Sequence, residues 1–183
     1  MPSFRNTVTV MSFQSLGQLL GQQTRGELPP VSDWNPEICG DIDIRIDKQG
    51  TWYHEGSEFK REKLVKLFAS ILKKEGDEYF LVTPVEKLRI QVEDLPFQII
   101  MIHKDDDGLQ AATNMGDMIT IDQQHPITLS QFDDGKIPEV EIRNGLKARF
   151  NRSSYYQLVD LAEERAGQLV VSSHGCEFVL GEF

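Results

Sequence analysis

Two similar stretches decide the fold of this chain: Phe59-Lys60-Arg61 opens one, and Phe150-Asn151-Arg152 opens the other. The first introduces a run with helical apolar spacing that ends at Leu72, and the strand-like segment Tyr79-Phe80-Leu81-Val82-Thr83 follows. The second introduces a similar run, followed by Leu169-Val170-Val171-Ser172. In each, Phe-X-Arg is predicted to end a strand and start a helix. Such a repeat implies two similar halves that bury their faces against each other, and the seam between them is the expected place for a ligand.

The sequence around the two stretches reads mostly as strands. Residues Asp41 to Asp47 alternate strictly, with isoleucines on one face and charged side chains on the other, which predicts a half-buried strand. Asn144-Gly145 predicts a tight hairpin turn, since both residue types accept positive φ angles. A helix is predicted over about residues 61–74, and Asn151 is a suitable N-cap for the second helix.

These elements predict an α+β fold with two similar β-rich halves, each a mostly antiparallel sheet with one main helix. Short connections between consecutive strands favour antiparallel pairing. Residues 1–33 are predicted to form an N-terminal helix, over 13–23, and an irregular leader. Residues 34–95 form the first repeat and residues 96–183 the second.

Composition and charge exclude some classes of function. The 183-residue chain has a net charge of -10. Residues 1–92 carry 12 basic and 13 acidic side chains, whereas residues 93–183 carry 7 and 16. The acidic second half argues against a protein that coats DNA or an anionic membrane. Two cysteines fit reduced thiols, and neither a secretory signal nor a membrane span is evident, so the protein is predicted to be cytoplasmic. Met1 and Met11 both remain open as the start.

Several further segments carry a resemblance to a known family. They occur in the same order and with the same spacing as in the bacterial family named domain of unknown function 1285, which the chain resembles over about residues 34–181. The segments are Trp34 to Ile46, Gly50 to Gly56, Leu81 to Lys87 and Val92 to Asp94, and the C-terminal match lies in Arg143, Gly145-Leu146, Ala148-Arg149 and Asn151-Arg152.

What this resemblance implies is limited. Its members have a duplicated core, and the C-terminal half superficially resembles a pleckstrin-homology fold. The interface between the halves is the implied ligand site, for a nucleotide-like molecule and with a role in signalling. No established activity comes with the resemblance.

Arg61 and Arg152 are the most unusual side chains, because each falls in the first turn of a predicted helix. That end of a helix is positive, so a cation there calls for a compensating anion. One interpretation is a ligand phosphate or carboxylate held by the guanidinium groups and the free helix N–H groups. The other, favoured in an acidic protein, is pairing with the chain's own acids. The candidate acids are Asp41, Asp43, Glu86 and Asp94.

Arg149 belongs to a group of basic side chains, and strand alternation places it on the same face as Lys147. The group is interpreted either as an electropositive patch at the seam or as solvated surface. Trp52 and His54 also share a strand face, where they could stack on and hydrogen-bond a base. The alternative is a core tryptophan beside a surface histidine.

Thr83 and Glu86 lie where the first repeat leaves its strand at Pro84, and they could meet a ribose or an amine. An ordinary turn with a local hydrogen bond is the favoured alternative. The predicted ligand-binding residues are therefore Trp52, His54, Arg61, Thr83, Glu86, Arg149 and Arg152.

The sequence favours a non-catalytic protein that binds a small anionic or nucleotide-like ligand at the seam. The alternative is a protein-interaction module that uses the second half to bind a partner. A third hypothesis, an enzyme using His54 with Glu86 or Asp94, lacks any recognisable catalytic signature. No metal site is predicted, because the acidic and histidine residues lack ligand spacing. No cofactor is predicted, because the sequence has neither a P-loop nor a GxGxxG motif.

Overall fold

The computed structural model of the protein describes residues 27–183, so the predicted helix over residues 13–23 lies outside the described part. The described chain divides into two compact units. The first holds residues 27–46 and Thr51–Val92, and the second holds Asp47–Gly50 and Glu93–Phe183. Each unit is built on one six-stranded sheet and carries one α-helix. This confirms the predicted α+β fold with two similar, mostly antiparallel halves.

In the first unit, the sheet has the order β3-β2-β1-β6-β5-β4. Two antiparallel three-stranded meanders meet through one parallel pair, β1 with β6. The helix connects the two meanders. The elements are β1 (Ile38–Ile46), β2 (Trp52–His54), β3 (Ser57–Glu58), α1 (Glu62–Ser70), β4 (Leu72–Glu75), β5 (Glu78–Val82) and β6 (Glu86–Val92).

Alternation explains strand β1, as predicted from its sequence. Ile44 and Ile46 are fully buried, whereas Asp41 and Asp43 are exposed. Helix α1 covers this core with Phe68, whose ring stacks on that of Trp52 at 6.2 Å between centroids. The buried faces of a strand and a helix thus form one apolar core.

Helix α1 is shorter than the predicted run over residues 61–74, and Leu72–Glu75 forms strand β4 instead. Ile71 leaves the helical conformation, and its N–H bonds to the carbonyl of Phe68, which tightens and ends the last turn. Glu75 then pairs with Glu78 across a two-residue loop in which Gly76 has a φ of +57°. Hairpin pairing with β5 outweighs the local helical pattern of this segment.

In the second unit, the main sheet has the order β10-β11-β12-β7-β8-β9 and is a curled half-barrel. Two antiparallel meanders again meet through a parallel pair, β12 with β7. A separate antiparallel sheet has the order β13-β14-β15. The elements are β7 (Phe97–Lys104), β8 (Leu109–Thr113), β9 (Met118–Ile121), β10 (Ile127–Phe132), β11 (Gly135–Arg143), β12 (Leu146–Phe150), α2 (Arg152–Leu161), β13 (Glu163–Arg165), β14 (Gln168–Ser173) and β15 (Cys176–Glu182).

The predicted hairpin turn between β11 and β12 is confirmed. Asn144 has a φ of +48° and Gly145 a φ of +77°, the left-handed conformations that these residue types accept. Strand β12 then runs to Phe150, and Asn151 caps the next helix, which begins at Arg152. The turn therefore determines where the second helix starts relative to the sheet.

Where strand β12 ends, residues at the start of helix α2 hydrogen-bond to the edge of β7 in its place. Pairing of β7 with β12 stops at Ile99, and the carbonyl of Ile99 accepts bonds from the N–H of Asn151 at 3.1 Å and from Ser154 Oγ at 2.7 Å. One turn further on, the N–H of Ile102 donates to Gln157 Oε1 at 2.8 Å. Ile100 lies at the register shift between these contacts. The regular strand pairing of the sheet is therefore interrupted next to Ile100.

Within residues 27–183, no helix has the length and apolar character that crossing a membrane requires.

Candidate functional site

A cavity of about 550 Å³ lies in the second unit, where the start of α2 meets β7 and the turn of residues 47–50. Its wall carries three cationic side chains, which are Lys48, Arg149 and Arg152. The described wall contains no aspartate or glutamate, although the chain has 29 acidic against 19 basic residues. The cavity therefore differs in charge character from the protein as a whole. Its size falls in the range of small-molecule sites.

Lys48 reaches the cavity because Gln98 holds its turn in place. Gln98 is buried, and its Nε2 donates to the carbonyl of Lys48 at 3.1 Å. The N–H of Gln98 donates to Asn114 Oδ1 at 3.1 Å, which ties β7 to the end of β8. Gly50 closes the turn with a φ of +82°, and an added Cβ would lie 2.7 Å from Gln98 Cγ. A side chain at this position would therefore require Gln98 to shift.

Arg149 is buried, with 3% of its side chain exposed, and the protein itself uses most of its hydrogen bonds. Its Nε and Nη2 donate to the two carboxylate oxygens of Asp94, at 2.9 and 2.7 Å. Its Nη1 donates to Ser130 Oγ at 2.8 Å and to the carbonyl of Ile137 at 3.0 Å. A bidentate pair of this kind fixes the guanidinium rigidly. Arg149 thus shapes the cavity wall.

Glu139 lies behind Arg149, with an oxygen 3.7 Å from its Nη1. Lys147 Nζ donates to the other oxygen of Glu139 at 2.6 Å, so Lys147 and Arg149 point to the same face of β12 as predicted. Burial raises the pKa of Glu139, but hydrogen bonds from Lys147 and Ser130 and the two cationic charges outweigh it. The pKa is therefore lowered overall.

Arg152 is exposed, lines the cavity and is the first residue of α2. Its Nε donates to the hydroxyl oxygen of Tyr156 at 3.2 Å, and the guanidinium lies 5.5 Å from the centre of the Tyr156 ring. It has no carboxylate partner within residues 27–183. The side chain of Asn151 caps the helix by accepting a bond from the N–H of Ser154 at 2.8 Å, as predicted. The uncapped N–H groups of the first turn thus lie beside an unneutralised guanidinium.

Lys48 is also paired with an acid, but this ion pair lies at the surface, whereas that of Arg149 with Asp94 is buried. The Nζ of Lys48 bonds to the carboxylate of Asp133, and both side chains are largely exposed. The hydrogen bond and the charge of Asp133 raise the pKa of Lys48. Lys48 Nζ also lies 5.6 Å from the ring centre of Phe132, and the guanidinium carbon of Arg149 lies 5.2 Å from the same centre. The aromatic wall of the cavity is therefore flanked by two cations.

Of the seven predicted binding residues, Arg149 and Arg152 line this cavity and the other five belong to the first unit. Trp52 is buried in the core with its Nε1 lacking a hydrogen-bond partner, and His54 stacks on Phe59 with 5.8 Å between ring centres. Arg61 is exposed and has no carboxylate partner within residues 27–183. Whether these residues bind a ligand stays a prediction.

Thr83 and Glu86 form a turn between β5 and β6. Thr83 Oγ1 accepts bonds from the N–H groups of Glu86, at 3.1 Å, and Val85, at 3.3 Å. The N–H of Thr83 donates back to the carbonyl of Glu86 at 2.9 Å. The Glu86 side chain is buried, and its Oε1 has no hydrogen-bond partner in the described structure. The local bonds of Thr83 are those expected of the ordinary turn.

The third hypothesis, an enzyme using His54 with Glu86 or Asp94, stays a prediction. Asp94 is held by Arg149 through both carboxylate oxygens. No group of three or more histidine, cysteine or acidic side chains in the described part is placed to hold a metal ion.

Sequence reasoning missed most of the cavity wall. Lys48, Gln98, Asn114 and Phe132 come from four distant segments, and only the sheet brings them together. The sequence Asp47-Lys48-Gln49-Gly50 is typical of a turn, but nothing in it shows which strand the turn packs against. Arg152 was found because its position at a helix start is unusual for a cation.

Comparison with known proteins matches both halves of the chain. The model of domain of unknown function 1285, N-terminal domain, matches residues 29–95, and that of protein of unknown function 1285, C-terminal domain, matches residues 96–180. No curated protein matches the sequence significantly.

Two solved structures are similar to the chain. A crystal structure of a DUF1285 family protein from Silicibacter pomeroyi DSS-3 is 38% identical, with 87% of this chain and 90% of that chain covered and a TM-score of 0.81. A crystal structure of a DUF1285 family protein from Shewanella baltica OS155 is 34% identical, with 64% and 90% covered and a TM-score of 0.52. From both family models and the structural likeness together, the chain belongs to the DUF1285 family.

Proposed function

We propose that this protein is a non-catalytic binding protein whose cavity in the second unit takes a small anionic or nucleotide-like ligand. The observation that carries the proposal is the charge of the cavity wall. Three cationic side chains and no carboxylate line it, in a chain with ten more acidic than basic residues. Concentrating cations against the overall charge stabilises a bound anion.

Arg152 and the start of α2 supply the binding chemistry in this proposal. The guanidinium offers N–H donors beyond the one given to Tyr156, and the first turn of the helix adds backbone N–H groups. Charge-assisted bonds of this type recognise carboxylates and phosphates alike. Arg149 and Lys48 also line the cavity, but each is already paired with an acid, Asp94 and Asp133 respectively.

A thermal-shift screen tests the proposal. Small carboxylates, phosphorylated metabolites and nucleotides are added to the purified protein, and hits are measured by calorimetry. Arg152→Gln is expected to weaken binding about tenfold or more, because it removes charge-assisted bonds worth roughly 1.5–3 kcal/mol. Arg165→Gln is the matched control, since Arg165 is an exposed arginine of the same unit that is absent from the cavity wall.

The result that contradicts the proposal is equally specific. If none of these anions raises the unfolding temperature of the wild-type protein, the cavity is not an anion site. The proposal also fails if Arg152→Gln and Arg165→Gln bind every hit as the wild type does.

Further parts of the proposal come from the family resemblance. They are a pleckstrin-homology-like character of the second unit and a role in signalling. The curled half-barrel of the second unit supports the first of these. A cytoplasmic location is also proposed, but from the two cysteines, which fit reduced thiols. The sequence prediction that the ligand lies at the seam between the halves stays a prediction.

The second candidate function is a protein-interaction module. Met101, Ala112 and Met118 are direct cross-strand neighbours on β7, β8 and β9, and both methionines are more than half exposed. Exposed apolar rows of this kind favour contact with an extended apolar peptide. Replacing both methionines with serine is expected to abolish capture of such a peptide and to leave anion binding unchanged.

A further inference from the structure

The cations of the cavity differ in how far the protein already neutralises them. Arg149 is bidentate with Asp94, and Lys48 is paired with Asp133. Arg152 has no carboxylate partner within residues 27–183. The cavity therefore offers one uncompensated positive charge, located at the start of α2.

A second negative charge on the ligand would find no such partner. Taking Arg149 from Asp94 would leave a carboxylate, only 12% exposed, without its counter-ion, which is costly. At the Lys48 end, the charge of Asp133 acts on the ammonium most strongly, and the charges of Asp94 and Glu93 act on it as well. A ligand group placed there would face the repulsion of these acids. Charge alone thus separates the cavity into an anion-accepting end and an acidic end.

The remaining wall is suited to apolar groups. Ile100 is 43% exposed, although it is a large aliphatic residue in the middle of strand β7. Phe132 and the buried Phe150 line the same space. An apolar ligand body over Ile100 would remove that side chain from water, which is favourable in proportion to the area covered.

We propose that the ligand is an amphipathic monoanion: one carboxylate that binds Arg152 at the start of α2, carried on a compact aromatic or branched aliphatic body that packs on Ile100 and Phe132. This inference rests on the proposed function and narrows it. Nucleoside polyphosphates and other multiply charged anions are disfavoured by the single uncompensated cation.

The experiment compares matched probes on the full chain by calorimetry and by ligand-observed NMR. Phenylacetate and 4-methylpentanoate are the monoanions, phenyl phosphate is the dianion of similar shape, and phenylacetamide is the neutral analogue. AMP and ATP represent nucleotides. Near pH 7.5 phenyl phosphate is mostly doubly charged, because its second pKa is about 6. The carboxylates are expected to bind about tenfold more tightly than phenyl phosphate and the amide.

Substitutions test whether Arg152 binds the carboxylate of the ligand and whether Ile100 contacts its apolar body. Arg152→Gln is expected to weaken the carboxylates about tenfold, and Ile100→Asn is expected to weaken phenylacetate while sparing acetate. Ile100→Ala serves as a second variant, and circular dichroism checks that each protein is folded. Arg165→Gln is expected to bind like the wild type.

The outcomes distinguish the two levels of the proposal. If phenyl phosphate or a nucleotide binds more tightly than the carboxylates and depends on Arg152, the monoanion inference is wrong and the anion site stands. If phenylacetamide binds as well as phenylacetate, the inference is also wrong. If no probe anion binds the wild type, both the inference and the proposed function are wrong.

Discussion

Arg149 and Asp94 form a bidentate ion pair in which Nε and Nη2 donate to the two carboxylate oxygens at 2.9 and 2.7 Å. The arginine is 3% exposed and the aspartate 12%. Arg149 lies in β12, near its end, whereas Asp94 precedes β7, so the pair links β12 to the segment that leads into its parallel neighbour β7. The pair thus holds in place the one of its two side chains that lines the cavity, Arg149.

Asp94→Asn is expected to destabilise the protein by about 3–5 kcal/mol, because it leaves the Arg149 guanidinium buried without its counter-ion. The free energy of unfolding in urea measures the effect. Asp134→Asn is the control, since Asp134 is exposed and the substitution changes the net charge equally. A loss no larger than that of the control would show that the pair is not buried in solution.

Some of this architecture was predictable and some was not. The alternation of Asp41 to Asp47 predicted strand β1, and the Asn144-Gly145 turn and the Asn151 cap were predicted from local chemistry alone. These features depend on neighbours within a few residues. The end of α1 at Ser70 was missed, because it depends on pairing of β4 with β5.

The contacts around the cavity could not be predicted from local sequence patterns either. Asp94 was considered as a partner for the helix-start arginines, but the structure pairs it with Arg149. Choosing among several acids requires the register of β12 against β7, which no local pattern specifies. Lys48 and Gln98, fifty positions apart in the sequence, meet only in the folded unit.

Stability of the protein is expected to depend on the ionisation of Glu139. Its pKa is lowered in the folded state, where burial raises it but the bonds from Lys147 and Ser130 prevail. A depressed folded-state pKa contributes stability above the unfolded-state value of about 4.5, and this contribution is lost as the pH falls through the folded-state value. Glu139→Gln is therefore expected to be more destabilising at about pH 6 than below pH 4.

Urea unfolding at a series of pH values measures this difference between wild type and Glu139→Gln. Taking the difference removes the contribution of the other carboxylates. Glu164→Gln, at an exposed position on β13, is the control. A gap that stays constant from pH 6 to pH 3 would contradict the assignment.

Gly50→Ala is expected to be more destabilising than Gly56→Ala, although both glycines have nearly the same φ, +82° and +80°. The left-handed conformation costs any L-residue about 1–2 kcal/mol, which both variants share. At Gly50 the added Cβ would also lie 2.7 Å from Gln98 Cγ, whereas nothing lies within 4 Å at Gly56. The two free energies of unfolding are compared directly, and equal losses would mean that Gln98 moves aside freely.

The two helix starts are expected to respond in opposite directions. Asn151 caps α2 through its side chain, so Asn151→Ala is expected to cost about 1 kcal/mol.

Arg61 occupies the same capping position of α1, but it has no oxygen to accept a bond and α1 has no side-chain cap. Arg61→Asn is therefore expected to stabilise the protein by about 0.5–1 kcal/mol. A residue kept at a position where another would be more stable is a candidate for function. If Arg61→Asn stabilises the fold and leaves binding of every anion in the screen unchanged, the predicted role of Arg61 in the ligand site is wrong.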